Sequence, residues 1–287
     1  KLINQYEIGK LLGEGAFASV RKAFDIAASR YCAVKKMAKS RLRKDLGSSN
    51  HSELTKVRAG LLAVYPLSHP HLLKIFEIMD SPKLDSLYIV LEFAGSGQIM
   101  SFDSSRKQYY SDLLGTGPLG GIKLTEVKRI MLEALSAIQY MHSVKVTHGD
   151  IKPDNLLLDS QLNVKLSDFG SARSHDGEKE ALVANGTYAF WSPEMAGADG
   201  NSEPYSDDVW ALSVTLYCMA FGDPPFYIIN PVELFGHITK VQITPPKRLP
   251  EPTHPSVKEL YDLLNGSLCL DKQKRLQLHQ IAKHSFL

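Results

Sequence analysis

The sequence predicts an α+β protein in two lobes: a small N-lobe built on an antiparallel sheet and a larger, mostly helical C-lobe. Three observations carry this. The first ninety residues alternate short strand-like runs with glycine. The strand signal fades after Phe93. Two later stretches, one opening near Thr125 and one over residues 207–221, carry apolar patterns of helical length. With 287 residues, the chain is long enough to give both lobes a core.

In order, residues 6–12, 19–24 and 31–36 read as three strands, and residues 39–50 as a basic, polar linker. Residues 53–64 are helix-like, and 72–78 and 87–93 complete a five-stranded sheet with one helix over residues 1–93. Residues 94–97 read as a hinge and 98–287 as the C-lobe. Residues 101–121, rich in Ser and Gly with Pro118, are expected to be a mobile insertion. Thr125 is placed to cap a long helix reaching about Val144, because Val127, Ile130, Met131, Ala134, Ile138 and Met141 recur at helical spacing as core positions. Residues 207–221 are nearly all apolar, so that helix is expected to be buried.

Composition narrows the function classes. An apolar share of 44% and a charged share of 22% are ordinary for a globular chain, and a net charge of +2 gives no strong field toward nucleic acid or membrane. The three cysteines, Cys32, Cys218 and Cys269, have no metal-ligand spacing and read as buried thiols of a reducing compartment. No apolar run approaches the ~18 residues of a membrane span. The chain opens on Lys1 without a leader pattern, so it is expected to be an excised domain with regulatory segments beyond it, in the cytoplasm and also the nucleus.

The chemistry concentrates in His148-Gly149-Asp150-Ile151-Lys152-Pro153-Asp154-Asn155 and Asp168-Phe169-Gly170. Two carboxylates and a carboxamide at this spacing suit phosphoryl transfer. Asp150 would orient an attacking hydroxyl, Lys152 would stabilise the phosphoryl group in flight, and Asn155 and Asp168 would hold Mg²⁺, which accepts few protein oxygens and keeps its waters. Upstream, Gly13-Glu14-Gly15-Ala16-Phe17-Ala18-Ser19-Val20 joins the first two strands; glycine there lets backbone amides approach a triphosphate. It is no Walker A loop, since no Lys-Ser/Thr pair follows. Ala33-Val34-Lys35 then places a lysine between apolar strand residues, as a phosphate ligand would need.

These motifs resemble the eukaryotic protein kinase catalytic domain, and the resemblance covers essentially the whole chain. It implies a bilobal kinase fold that transfers the γ-phosphate of Mg-ATP to protein hydroxyls. The nucleotide site implied is Leu12, Gly13, Glu14, Gly15, Ala16, Phe17, Ala18, Val20, Ala33, Lys35, Leu91, Glu92, Ala94, Leu157 and Asp168, with Leu91 as gatekeeper. Ser192-Pro193-Glu194 stands at the family's Ala-Pro-Glu. Asp208 matches the aspartate that braces the catalytic loop, and Arg275 the arginine that pairs with Glu194. Lys152 and Thr187 follow the serine/threonine rather than the tyrosine pattern. The stretches 69–80, 87–90, 186–194 and 214–217 are similar to the calmodulin-dependent kinase kinases, and the ending 280–286 to the liver-kinase-B type. Both phosphorylate activation loops of other kinases, including the AMP-activated kinase. Protein substrates, with an activating partner or calmodulin-binding segment outside this chain, are therefore implied.

Two departures stand out. Counting back from His69, the family's helix glutamate falls on Gly60; the nearest acid upstream, Glu53, lies about 10 Å away along the axis. Lys35 is therefore expected to pair with Asp168 or with nucleotide phosphate alone. Gly149 replaces the arginine that reads a phosphate on the activation loop, and residues 175–186 contain no Ser, Thr or Tyr. Ser171 and Ser174 lie early, and Glu178 and Glu180 read as solvated charges. The expectation is a kinase that needs no loop phosphate. The rival from another class is a pseudokinase scaffold; a small-molecule kinase is disfavoured by the complete 186–194 segment.

Overall fold

The computed structural model describes residues 1–15, 18–43, 53–176, 187–197, 202–228, 230–240, 242–244, 246 and 254–287. Ala16, Phe17, Glu178, Glu180 and Gly186 lie outside the described residues, as does the 39–50 linker beyond residue 43.

The N-lobe carries β1 (Leu2–Ile3), β2 (Tyr6–Glu14), β3 (Ala18–Asp25), β4 (Arg30–Ala38), α1 (Lys39–Leu42), α2 (Glu53–Val64), β5 (Ile75–Met79) and β6 (Ser86–Glu92). Its strands form one antiparallel sheet in the order β1-β2-β3-β4-β6-β5. The sheet therefore has six strands, not five. The extra strand is two residues long, too short to show a period in sequence. The expected linker also begins as helix, because α1 buries Lys39 and Leu42. The run at 72–78 starts late. Leu72 makes an isolated bridge to Leu166 and the Leu73 amide donates to the Leu166 carbonyl, so the chain is stitched to the C-lobe before it joins the sheet.

The C-lobe follows with β7 (Gly97–Gln98), β8 (Ser101–Asp103), β9 (Gln108–Tyr110), α3 (Leu124–Ser143), β10 (Val146–Thr147), β11 (Leu156–Leu158), β12 (Val164–Leu166), β13 (Arg173–Ser174), α4 (Pro193–Ala196), α5 (Pro204–Phe221), α6 (Pro231–Lys240), α7 (Pro255–Ser267) and α8 (Leu278–Ile281). Thr125 does not cap α3: the N-cap is Lys123, without a side-chain cap, and Thr125 falls in the first turn. Residues 101–121 are not a loose insertion either. β8 and β9 form a hairpin, and amides of Tyr109, Gly121 and Ile122 donate to carbonyls of Gly222, Ala220 and Met219 at the end of α5. Tyr109 and Ile122 are buried there.

One core runs from the inner face of the sheet (Met37, Leu87, Ile89) through α2 (Leu54, Val57, Leu61) into the C-lobe around α3 and α5. A smaller cluster of Tyr6, Ala23, Cys32, Val34 and Val90 covers the outer face. Each fully buried large apolar side chain contributes about 1.5–3 kcal/mol. α5 is buried from Ser206 to Phe221, which is why its sequence shows no amphipathic stripe. No helix among the described residues is long and apolar enough to cross a membrane.

Candidate active site

β10 delivers the chain into the loop 148–155, which ends in a 3-10 turn at Pro153–Asn155 and leaves as β11. Asp150 is its hub. Oδ1 accepts from the Thr187 amide at 3.0 Å and the Thr187 hydroxyl at 3.2 Å. Oδ2 accepts from Lys152 Nζ at 2.7 Å and Asn155 Nδ2 at 3.0 Å. Lys152 Nζ also donates to Thr187 Oγ1 at 2.7 Å. The carboxylate is thus fixed in position beside the Lys152 side chain, by hydrogen bonds of the strong, charge-assisted kind.

The loop backbone is fixed from below by Asp208, which is fully buried on α5. It accepts from the amides of His148 and Gly149 and from His142 Nε2, each at 2.9 Å. Asn155 and Asp168 are brought together through Ser167, whose amide and hydroxyl donate to the Asn155 carbonyl at 2.8 and 2.9 Å. His148 Nε2 bonds the Ser167 carbonyl at 2.9 Å. Asp168 itself sits in the left-handed region at φ 61°, an unusual conformation for a residue with a side chain. Burial raises its carboxyl pKa, but the charge and hydrogen bond of Lys35 outweigh this and hold it below the usual range.

The N-lobe supplies the opposite wall. In the sheet register Lys35 stands between Val20 and Ile89, Ala33 opposite Leu91, and Gly13 opposite Val20. Leu12, Gly13 and Glu14 are exposed at the end of β2, and the Gly15 amide donates to the Ala18 carbonyl across the turn. Glu92 is not free: its carboxylate pairs with Lys165 at 2.7 Å. Ala94 follows it into the hinge, whose Ser96 amide donates to Leu158, while Leu157 lies on β11 opposite Gln98. Lys35 Nζ reaches Asp168 Oδ1 at 2.7 Å. The oxygen set suits magnesium: both amide hydrogens of Asn155 are spent on Asp150, which leaves Oδ1 for a cation beside the Asp168 carboxylate.

At position 60 a side chain has no room. A Cβ there would lie 2.7 Å from the carbonyl oxygens of both Phe169 and Ala172. Glu53 pairs with Lys56 on its own helix at 2.6 Å, while Lys35 takes Asp168. Gly149 is constrained twice, by φ 77° and by the Ser171 carbonyl 2.7 Å from where its Cβ would stand. Beside it β13 pairs with β10, His175 Nε2 bonds Thr147 Oγ1 at 2.9 Å, and Lys145 pairs with Asp176 at 2.7 Å. Residues 173–176 are therefore tied to the residues that lead into the catalytic loop.

Glu194 and Arg275 form a bidentate pair at 3.0 and 2.8 Å, with Arg275 also donating to Cys269 O and Ser206 Oγ. Sequence reasoning missed three supporting residues. His142 adds the third donor to Asp208. Tyr109, from the hairpin, donates to Asp154, whose carboxyl burial pushes up. Asp207 accepts from Ser192 and Ser202 and is pushed up to about 6, first by burial and then by Asp208 and Glu194. Only the adjacent acids Asp207-Asp208 inside an apolar run hinted that one was unusual.

Residues 6–287 match the family described as protein kinase domain. Among curated proteins, the chain is 32% identical to the serine/threonine-protein kinase ssp1 of Schizosaccharomyces pombe, over 99% of this chain and 42% of that protein. It is 31% identical to the serine/threonine-protein kinase stk11 homolog of Dictyostelium discoideum, over 99% and 45%. It is 28% identical to the serine/threonine-protein kinase GRIK2 of Arabidopsis thaliana, over 100% and 66%. The chain thus spans less than half the length of the first two of these relatives.

Proposed function

The chain belongs to the protein kinase family as an ATP-dependent serine/threonine kinase domain, and from that premise we propose that the protein carrying it phosphorylates activation loops of downstream kinases of the AMP-activated type. We further propose that it does so without a phosphate on its own loop, in the cytoplasm or nucleus. The substrate reading is supported by the motifs shared with the upstream kinases and by likeness to the stk11 homolog. The independence reading is supported by Gly149 and by the β10–β13, His175–Thr147 and Lys145–Asp176 contacts, none of which uses a phosphate. A partner protein or a flanking segment would then be the route of control.

One observation carries the chemistry: Asp150, Lys152, Asn155 and Thr187 form a closed hydrogen-bonded set beside Asp168. Asp150 orients the substrate hydroxyl and takes its proton. Lys152 lies within reach of the transferring group and offsets its charge. Lys35 holds nucleotide phosphates once it leaves Asp168. Magnesium, held by Asn155 and Asp168, would neutralise phosphate charge. The hydroxyl oxygen bonds to the γ-phosphorus as the bond to the leaving oxygen of ADP breaks, with no enzyme intermediate. Catalysis is then mainly positioning and electrostatics.

The test is transfer of labelled γ-phosphate to activation-loop peptides. Transfer abolished by Asp150→Asn and unchanged after phosphatase treatment is the expected result. Absence of transfer by the unaltered protein would favour the pseudokinase reading, which draws on the lack of a carboxylate at position 60. A collapse after phosphatase treatment would overturn loop independence alone.

A further inference from the structure

The helix that lacks the carboxylate is anchored from its other side. Arg58, two residues before Gly60 on α2, donates from Nε to Asp80 Oδ2 at 2.7 Å. Asp80 stands just past β5, and its second oxygen accepts from Lys39 Nζ at 2.9 Å. The Lys39 side chain has no exposure and also donates to the Ser81 carbonyl at 2.6 Å. A buried ammonium cannot be left without its counter-charge, so Asp80 is fixed by Lys39 and offers Arg58 a rigid anchor. The hydrogen bond from Arg58, with that from Lys39, keeps the Asp80 carboxyl below the usual carboxylate range.

The opposite side of the same helix turn is backbone against backbone. With no Cβ at position 60, α2 approaches the Phe169 and Ala172 carbonyls so closely that even a methyl group would meet both at 2.7 Å. Val57, one turn earlier, is buried against the same segment, with Cγ2 4.0 Å from where a Cβ on Gly170 would stand. Asp168, immediately before this segment, faces Lys35.

We propose that Asp80 is the positioning residue for this helix: through Arg58 it seats the Gly60 turn on the backbone of residues 169–172 and so fixes Asp168 against Lys35, in place of a carboxylate carried by the helix. The inference rests on the reading of this cleft as a nucleotide site. Within it, Lys35 needs no helix partner, because helix and metal-binding segment are held together by contact and by a charge node outside the cleft.

Arg58→Ala tests this without disturbing Lys39, whose contact with Asp80 remains, and Arg58→Lys is the conservative control. Four readings are taken on the purified chain: melting temperature, affinity for a fluorescent ATP analogue with magnesium, kcat and KM for ATP, and amide exchange of residues 168–172. Arg58→Ala should weaken nucleotide binding and lower kcat by about tenfold, as a displaced positioning group does. It should leave the peptide KM unchanged and speed exchange at Ala172, and Arg58→Lys should recover part of the loss. Gly60→Ala should lower nucleotide affinity similarly, and the double variant should lose less than the sum, because both act on one seat. A lower melting temperature with unchanged affinity, turnover and exchange would overturn the proposal, as would full additivity. If the unaltered chain binds nucleotide but transfers nothing, the kinase activity reading fails while the affinity and exchange arms still decide this one. A chain that binds no nucleotide overturns both.

Discussion

The catalytic loop and helix α2 face one cleft, yet the fold secures them in opposite ways. The loop hangs on Asp208, a buried carboxylate that takes two backbone amides and an imidazole. Its acting residues are cross-linked through Asp150. Helix α2 meets the cleft differently. It carries Gly60 where a carboxylate is expected, and its polar anchor, Arg58–Asp80, is half-exposed on the far side. Redundant buried hydrogen bonds hold a geometry that must not vary. Apolar packing, backbone contact at Gly60 and a charge node on the far side hold the helix.

The largest expected effect breaks the loop side of this comparison. Asp208→Asn keeps the shape but turns an amide N–H toward backbone donors. It should cost about 3 kcal/mol, the desolvation cost of orphaned groups facing a lost charge. Chemical denaturation would measure it, and transfer should fall with it. Loss of less than a third of that would mean the loop does not depend on the buried carboxylate.

Gly149→Ala comes next. It demands φ 77° of alanine and a methyl group 2.7 Å from the Ser171 carbonyl, for about 2–3 kcal/mol of strain. Thermal melts together with kcat would show whether strain reaches Asp150 next door.

Asp207→Asn sharpens the comparison through pH. The folded carboxyl titrates at about 6, above its unfolded range. The native state therefore holds a proton that the unfolded chain has lost between about pH 4 and 6, and stability falls as pH rises through that window. The ionised, buried form is the penalty at pH 8, of order 2–3 kcal/mol. Asn should remove it, so the variant should melt higher than the unaltered protein at pH 8 and no higher at pH 4. Parallel melting curves across pH would contradict this.

Glu53→Gln should do least. It breaks a surface pair with Lys56, and exposed pairs contribute little. Nucleotide affinity and turnover should stay at the unaltered level; a large loss would mean Glu53 reaches Lys35 after all.

Much of the fold was legible because local patterns and tertiary roles agree. Residues 53–64 read as a helix and form one, and the apolar run from 207 reads as buried and is. β1 was missed because two residues carry no period, and the hairpin at 101–110 because its serines, with the glycines that follow at 115–121, look like a loop until Tyr109 and Ile122 are seen docked on the end of α5. In the site, the residue types of the loop announced their chemistry, and the spacing of Gly60 from His69 announced that Glu53 was out of reach. Nothing in the sequence indicated that Tyr109 would meet Asp154, or that His142 and Asp208 would meet across 66 positions of chain.

What the order of residues decided by itself was the inventory: which groups can accept a proton, hold a cation or approach a phosphate, and that position 60 has no carboxylate. That information is local, because side-chain chemistry and short-range periodicity travel with the chain. Only the folded molecule decided where Lys35 turns, what seats α2, and why two glycines admit no other residue. Those outcomes depend on atoms distant in sequence meeting at contact distance, and steric exclusion between such atoms leaves no trace in the pattern of either segment.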